Sequence, residues 1–148
     1  VRDDLVSKVF NISESQIDDK VNELLNLINN EREKNGLIKL QILPRLQEIA
    51  MTKAEDMVKN NYFSHESPSY GNPFDMMKNF GITYKSAGEN IAGNSSIEGA
   101  FNSWLLSENH KQNILSTAYN YIGIGISPSE KYGYIIVAMF IRKIASRY

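Results

Sequence analysis

Two histidines are all the imidazole this 148-residue chain carries. His65 stands in Phe63-Ser64-His65-Glu66-Ser67-Pro68 and His110 in Ser107-Glu108-Asn109-His110-Lys111, polar surroundings of loop character. Imidazole ligates metals and moves protons near neutral pH, although a loop histidine taken alone is more often exposed and idle than functional. Glu89, in Ala87-Gly88-Glu89-Asn90-Ile91, leads into a strand-like apolar pair. A carboxylate half buried there needs a partner, because an unpaired buried charge is costly; a histidine would serve. Glu89 then reads as a loop-pinning acceptor, a metal ligand or a general base, and its local sequence favours the first.

Glu108 lies two residues before His110. On a helix such neighbours point about 200° apart, so they converge only if this segment is loop or extended. Ser107 and His110, three apart, share a face if it is helical. Ser64, Ser67 and Ser69 flank His65, but sequence neighbours rarely form a triad and there is no Gly-x-Ser-x-Gly elbow. A serine hydrolase is set aside on that ground. Tyr62, Tyr70, Tyr84, Tyr119 and Tyr121 fall near these segments, as the lining of a ligand groove or the amphipathic rim of a core.

The chain that must position these groups has no cysteine, which removes disulfides, thiolate zinc sites and cysteine nucleophiles together. Apolar residues make up 42% and charged residues 22%, the balance of one globular domain able to bury a core. The net charge of −1 lacks the basic excess of a nucleic-acid binder and argues against a mainly electrostatic partner. No stretch approaches the roughly 20 apolar residues that span a bilayer.

Residues 1–14 read as a linker or arm, with Val6, Val9 and Phe10 able to pack, and 15–148 as the domain. From Ser13 the pattern turns helical: Ile17, Val21, Leu24, Leu25 and Ile28 share one face of a 3.6-residue period, and Asn35-Gly36 stops it. Pro44 opens a second helix with Leu46, Ile49, Ala50, Ala54, Met57 and Val58 as its stripe and Asn60-Asn61 at its end. A third runs from Pro73 to Gly81, carrying Phe74, Met77 and Phe80. Ser95 and Glu98 have capping-box spacing before a helix bearing Ile97, Ala100, Phe101, Trp104 and Leu105. A strand is expected between Tyr84 and Ala92. Tyr121–Ile126 alternates and Tyr134–Ile141 is continuously apolar, so the two form a hairpin whose second strand is buried on both faces. The order implies an α/β fold, a three-layer α-β-α sandwich with a small central antiparallel sheet flanked by helices.

Five segments in order resemble the CAP domain family, also called SCP or PR-1-like. Asn30-Glu31-Arg32 with Gly36-Leu37 resembles the opening helix; Ser64-His65-Glu66-Ser67-Pro68 the first site histidine; Pro73-Phe74-Asp75-Met76-Met77 the helix after it; Gly88-Glu89-Asn90-Ile91 the Gly-Glu-Asn signature. Trp104 then leads into Ser107-Glu108-Asn109-His110-Lys111-Gln112-Asn113-Ile114-Leu115, which resembles the Ser-x-x-His-x-x-Asn-Ile-Leu run of the bacterial branch. The likeness extends over residues 21–142, with Ile122-Gly123-Ile124-Gly125 as its glycine-bearing strand.

The resemblance implies the same sandwich and an extracellular or cell-surface location, with lipid anchoring through a removed N-terminal segment as one route. It implies a cleft in which two histidines and two acidic residues can hold zinc or another divalent cation. His65 and Glu89 match that pattern. A glutamate of the broader pattern is replaced by Ser107, and Ala118-Tyr119-Asn120-Tyr121 stands where a second histidine would be. His110 then takes the second position and Glu108 the missing acid, giving His65, Glu89 and His110 as the metal set. The first functional reading is a non-catalytic binding module, expected as a monomer, for a lipid, sterol, wall component or host protein. The rival is a metal-dependent hydrolase or protease. A third reading makes the three residues a strut between loops.

Overall fold

The computed structural model describes residues 13–144. The expected arm, with Val6, Val9 and Phe10, lies outside them except for Ser13 and Glu14, which begin the first helix. Helix α1 spans Glu14–Lys34, with a capping box in which Ser13 accepts from the Gln16 amide and the Gln16 side chain accepts from the Ser13 amide. A two-residue strand, β1 (Gln41–Ile42), precedes α2 (Pro44–Lys59), which Pro44 opens, and α3 is Pro73–Asn79. Strand β2 (Tyr84–Asn94) leads to α4 (Ile97–Leu106) and α5 (Glu108–Ile114), and β3 (Tyr121–Ser129) and β4 (Gly133–Lys143) close the fold.

The sheet order is β1-β3-β4-β2. The β3–β4 hairpin and the β2–β4 pair are antiparallel, as expected, whereas β1 adds a short parallel edge on β3. Ile122, Ile124 and Ile126 of β3 and Ile136, Ala138 and Phe140 of β4 meet the apolar stripes of α1 and α4 on one face. Ile135, Val137, Met139 and Ile141 of β4 meet α2 and α3 on the other. Strand β4 is thus buried on both sides, the reason for its unbroken apolar run. Gly123 and Gly125 let α2 lie directly on β3: a Cβ at either would stand 2.4 or 2.1 Å from the backbone of Leu46 or Ala50.

Three local expectations are corrected. Ser96, not Ser95, caps α4 by accepting from the Gly99 amide, because the Asn94 side chain already holds the Ser96 amide. On α3 the buried pair is Met76 and Met77, while Phe74 is 42% exposed. The segment after Ser107, read as loop, is helix α5.

Candidate functional site

Glu89 lies midway along β2, the edge strand whose sheet partner is β4. Alternation along the strand sends its side chain toward α2 and those of its neighbours toward α5. Gly88 leaves room for the Tyr119 hydroxyl and Asn113, which a Cβ would meet at 2.5 and 2.8 Å. Fully buried Asn90 donates to the His110 carbonyl at 3.0 Å and accepts from Asn113 Nδ2 at 2.9 Å. The Gly-Glu-Asn run therefore does three things: it admits a close neighbour, aims a carboxylate and pins α5.

Glu89 Oε1 lies 2.6 Å from His65 Nδ1. The Glu89 side chain is 1% exposed and that of His65 53%. An ionised carboxylate only accepts, so Nδ1 carries the proton between them. Glu89 Oε2 is buried without a hydrogen bond and lies 3.9 Å from the ammonium of Lys53, whose side chain is completely buried. Lys53 also donates to the His65 carbonyl. Burial lowers the Lys53 pKa below the ordinary lysine value, opposed by the charges of Glu89, Asp56 and Glu66.

One turn further along α2, Asp56 holds the loop that carries His65. It accepts from Asn60 Nδ2 at 2.6 Å, from Ser67 Oγ at 2.7 Å and from the Tyr62 hydroxyl. Burial pushes the Asp56 carboxyl up, but these bonds and the Lys53 charge outweigh it and leave the pKa below the usual value. Burial and the bond to Asp56 raise the Tyr62 phenol. Ser67 also accepts from the Ser69 and Tyr70 amides, so it is a loop strut.

His110 sits in α5 with Nδ1 2.9 Å from Ser107 Oγ and its ring stacked on Trp104, centroids 6.4 Å apart. Trp104 is held by its own bond to the Ile91 carbonyl at 3.0 Å. Burial first, and then the charge of His65, lower the His110 pKa. The structure thus joins His65 to Glu89 and sets His110 beside them through Asn90. Glu108 is exposed on the first turn of α5. The helix directs it away from His110, so the condition for their convergence is not met. Among the described residues no three His, Asp or Glu side chains are grouped to hold a metal ion, and neither histidine Nε2 has a protein partner.

Lys53, Asp56, Asn90 and Asn113 were not among the sequence candidates. Lys53 and Asp56 had a signal: they fall four and seven residues after Ile49, on the apolar stripe of α2, and both are buried. A separate pocket of about 590 Å³ opens between the end of α2 and the β3–β4 turn, lined by Met57, Val58, Phe63, Tyr132 and Ile135 among others. It includes none of the histidine and glutamate candidates.

Residues 25–140 match the cysteine-rich secretory protein family, CAP. The chain belongs to the CAP family. It is 48% identical over 122 residues to the uncharacterised protein YkwD of Bacillus subtilis, covering 82% of this chain and 46% of that protein. An extracellular protein of Bacillus anthracis containing an SCP domain superposes with a TM-score of 0.79 at 29% identity, covering 89% of this chain and 44% of that one. An outer surface protein of Borrelia burgdorferi also reaches 0.79, at 21% identity, covering 85% of this chain and 94% of that one; at that identity the likeness is one of fold. This CAP domain spans less than half the length of the curated relatives it matches. No helix among its described residues is long and apolar enough to cross a membrane.

Proposed function

We propose that this CAP domain is a non-catalytic binding module, displayed outside the cell or on its surface, with its ligand site at the cleft of His65, Glu89 and His110. The observation that carries the reading is the pinned carboxylate. Glu89 Oε1 is committed to His65 and Oε2 faces Lys53 from a fully buried position, so neither oxygen is free to act as a base on an incoming water. What meets solvent is the edge of a half-exposed imidazole. That arrangement suits recognition. The likeness to the extracellular SCP-domain protein of Bacillus anthracis supports the location.

The metal-dependent hydrolase needs about three protein ligands around an open position. The described residues offer no three-membered group of His, Asp and Glu ligands, and the ring nitrogens left for the cleft, Nε2 of His65 and of His110, number only two. They do not fit a resident divalent cation, and no step is routed through one. The ligand classes in view are a lipid, a sterol, a wall component or an extracellular protein.

Co-sedimentation in EDTA tests this reading, with phosphatidylglycerol vesicles, the same vesicles containing cholesterol, and purified peptidoglycan. One of these should retain the wild type, and His65→Ala with His110→Ala should weaken retention about tenfold or more, as for loss of central contacts. Soluble fragments released from peptidoglycan by the wild type but not by the variant, in a parallel run with ZnCl2 in place of EDTA, would replace the binding module with the hydrolase. Retention by none would reject the lipid, sterol and wall classes and leave an extracellular protein as the ligand class.

A further inference from the structure

Lys53 occupies a position where an apolar side chain would be expected. It lies on the apolar stripe of α2, and its side chain is fully buried. A buried ammonium persists only where partners offset its lost hydration. The Lys53 ammonium is 3.9 Å from Glu89 Oε2, donates to the carbonyl of His65 and feels the charges of Asp56 and Glu66. Glu89 Oε2 has the reciprocal need: it is buried without a hydrogen bond. A buried carboxylate oxygen so placed calls for a countercharge, and the Lys53 ammonium stands beside it.

We propose that Lys53 is the resident cation of the cleft, serving Glu89 in place of a divalent ion and assembling the site without metal. It neutralises the carboxylate from behind. The neutralised carboxylate orients His65 with Nδ1 inward, which leaves Nε2 for the cleft. The second bond of the ammonium, to the His65 carbonyl, ties the loop of that residue to α2. A cleft ligand therefore meets imidazole edges and no metal. This last consequence rests on the binding reading above; the metal independence does not.

The test titrates ZnCl2 into metal-free wild type, Lys53→Met and Lys53→Met with His65→Ala, by calorimetry with melting followed in parallel. Removing the ammonium leaves Glu89 Oε2 without its countercharge and free to take a cation together with His65, with water completing the coordination. Lys53→Met should bind one zinc ion about 100-fold more tightly than the wild type, because the ammonium no longer repels a cation at Glu89, and zinc should raise its melting temperature but not that of the wild type. Adding His65→Ala should abolish the gain. Zinc binding by the wild type that His65→Ala alone removes would overturn the proposal. So would a folded Lys53→Met that gains no zinc affinity. If Lys53→Met does not fold, Lys53→Met with Glu89→Gln, which removes both charges, should. Failure of that variant too would mean that Lys53 holds the fold for another reason and would equally overturn the proposal. Failure of vesicle and peptidoglycan binding would leave these zinc results standing and would count against the lipid, sterol and wall classes of the binding reading alone.

Discussion

Replacing Glu89 by Gln keeps the shape of the side chain and deletes its charge. Oε2 lies 3.9 Å from Lys53 Nζ, with both side chains out of solvent. At that separation Coulomb's law with an effective dielectric constant of about 20 gives an attraction of about 4 kcal/mol. The loss is reduced because Asp56 and Glu66 still act on the ammonium and its bond to the His65 carbonyl survives. The expected cost is about 2–4 kcal/mol, near the range for breaking a buried pair from one side. Lys53→Met strands the carboxylate at similar cost. The double variant removes both charges and should recover much of the loss, so the cycle should return a coupling of about 2 kcal/mol. Urea unfolding at neutral pH, with the slope unchanged between variants, measures all four proteins. A Glu89→Gln variant within about 0.5 kcal/mol of wild type, or strictly additive single effects, would refute the pairing.

Further outcomes follow from the same geometry. Gly125→Ala puts a Cβ 2.1 Å from the Ala50 carbonyl oxygen and should cost about 1–3 kcal/mol or more; an unchanged melting temperature would contradict the contact between α2 and β3. Buried Arg32 donates to the carbonyls of Ile38, Ile114 and Ser116, so Arg32→Met should lower stability by about 2–4 kcal/mol in urea unfolding. The folded His110 has a pKa below its ordinary value of 6.5, so the unfolded ring takes up its proton at a higher pH than the folded one. Stability from this group is complete above that value and is lost as pH falls through the window beneath it. His110→Gln should flatten that limb of the urea midpoint against pH, and an identical slope would count against the burial.

The long elements were legible because their burial writes a period into the sequence. The stripe of α1, the alternation of β3 under two different layers and the unbroken β4 each follow from what packs against them. Helix α5 was not legible. Its residues Glu108 to Asn113 are polar, with Ile114 as its buried side chain, so no period marks it; it is held from outside, by Asn90 on the His110 carbonyl and Arg32 on the Ile114 carbonyl. Strand β1 has two residues and a parallel partner distant in sequence, too little for a pattern. In the site, Glu89 and His65 are 24 residues apart, and local sequence gives neither a partner. The resemblance to CAP domains put them together. Lys53 escaped because a stripe is read by its apolar members, although a charge at a stripe position is the more informative residue.

The most direct test of a metal-independent binding cleft is a long-range ¹H–¹⁵N spectrum of the two imidazoles in metal-free protein. His65 should hold its proton on Nδ1, and one equivalent of Zn²⁺ should leave both rings unmoved, whereas the vesicle or peptidoglycan preparation that retains the protein should shift the Nε2 signals of His65 and His110. A stoichiometric zinc shift at both Nε2 atoms, with no response to either preparation, would contradict it.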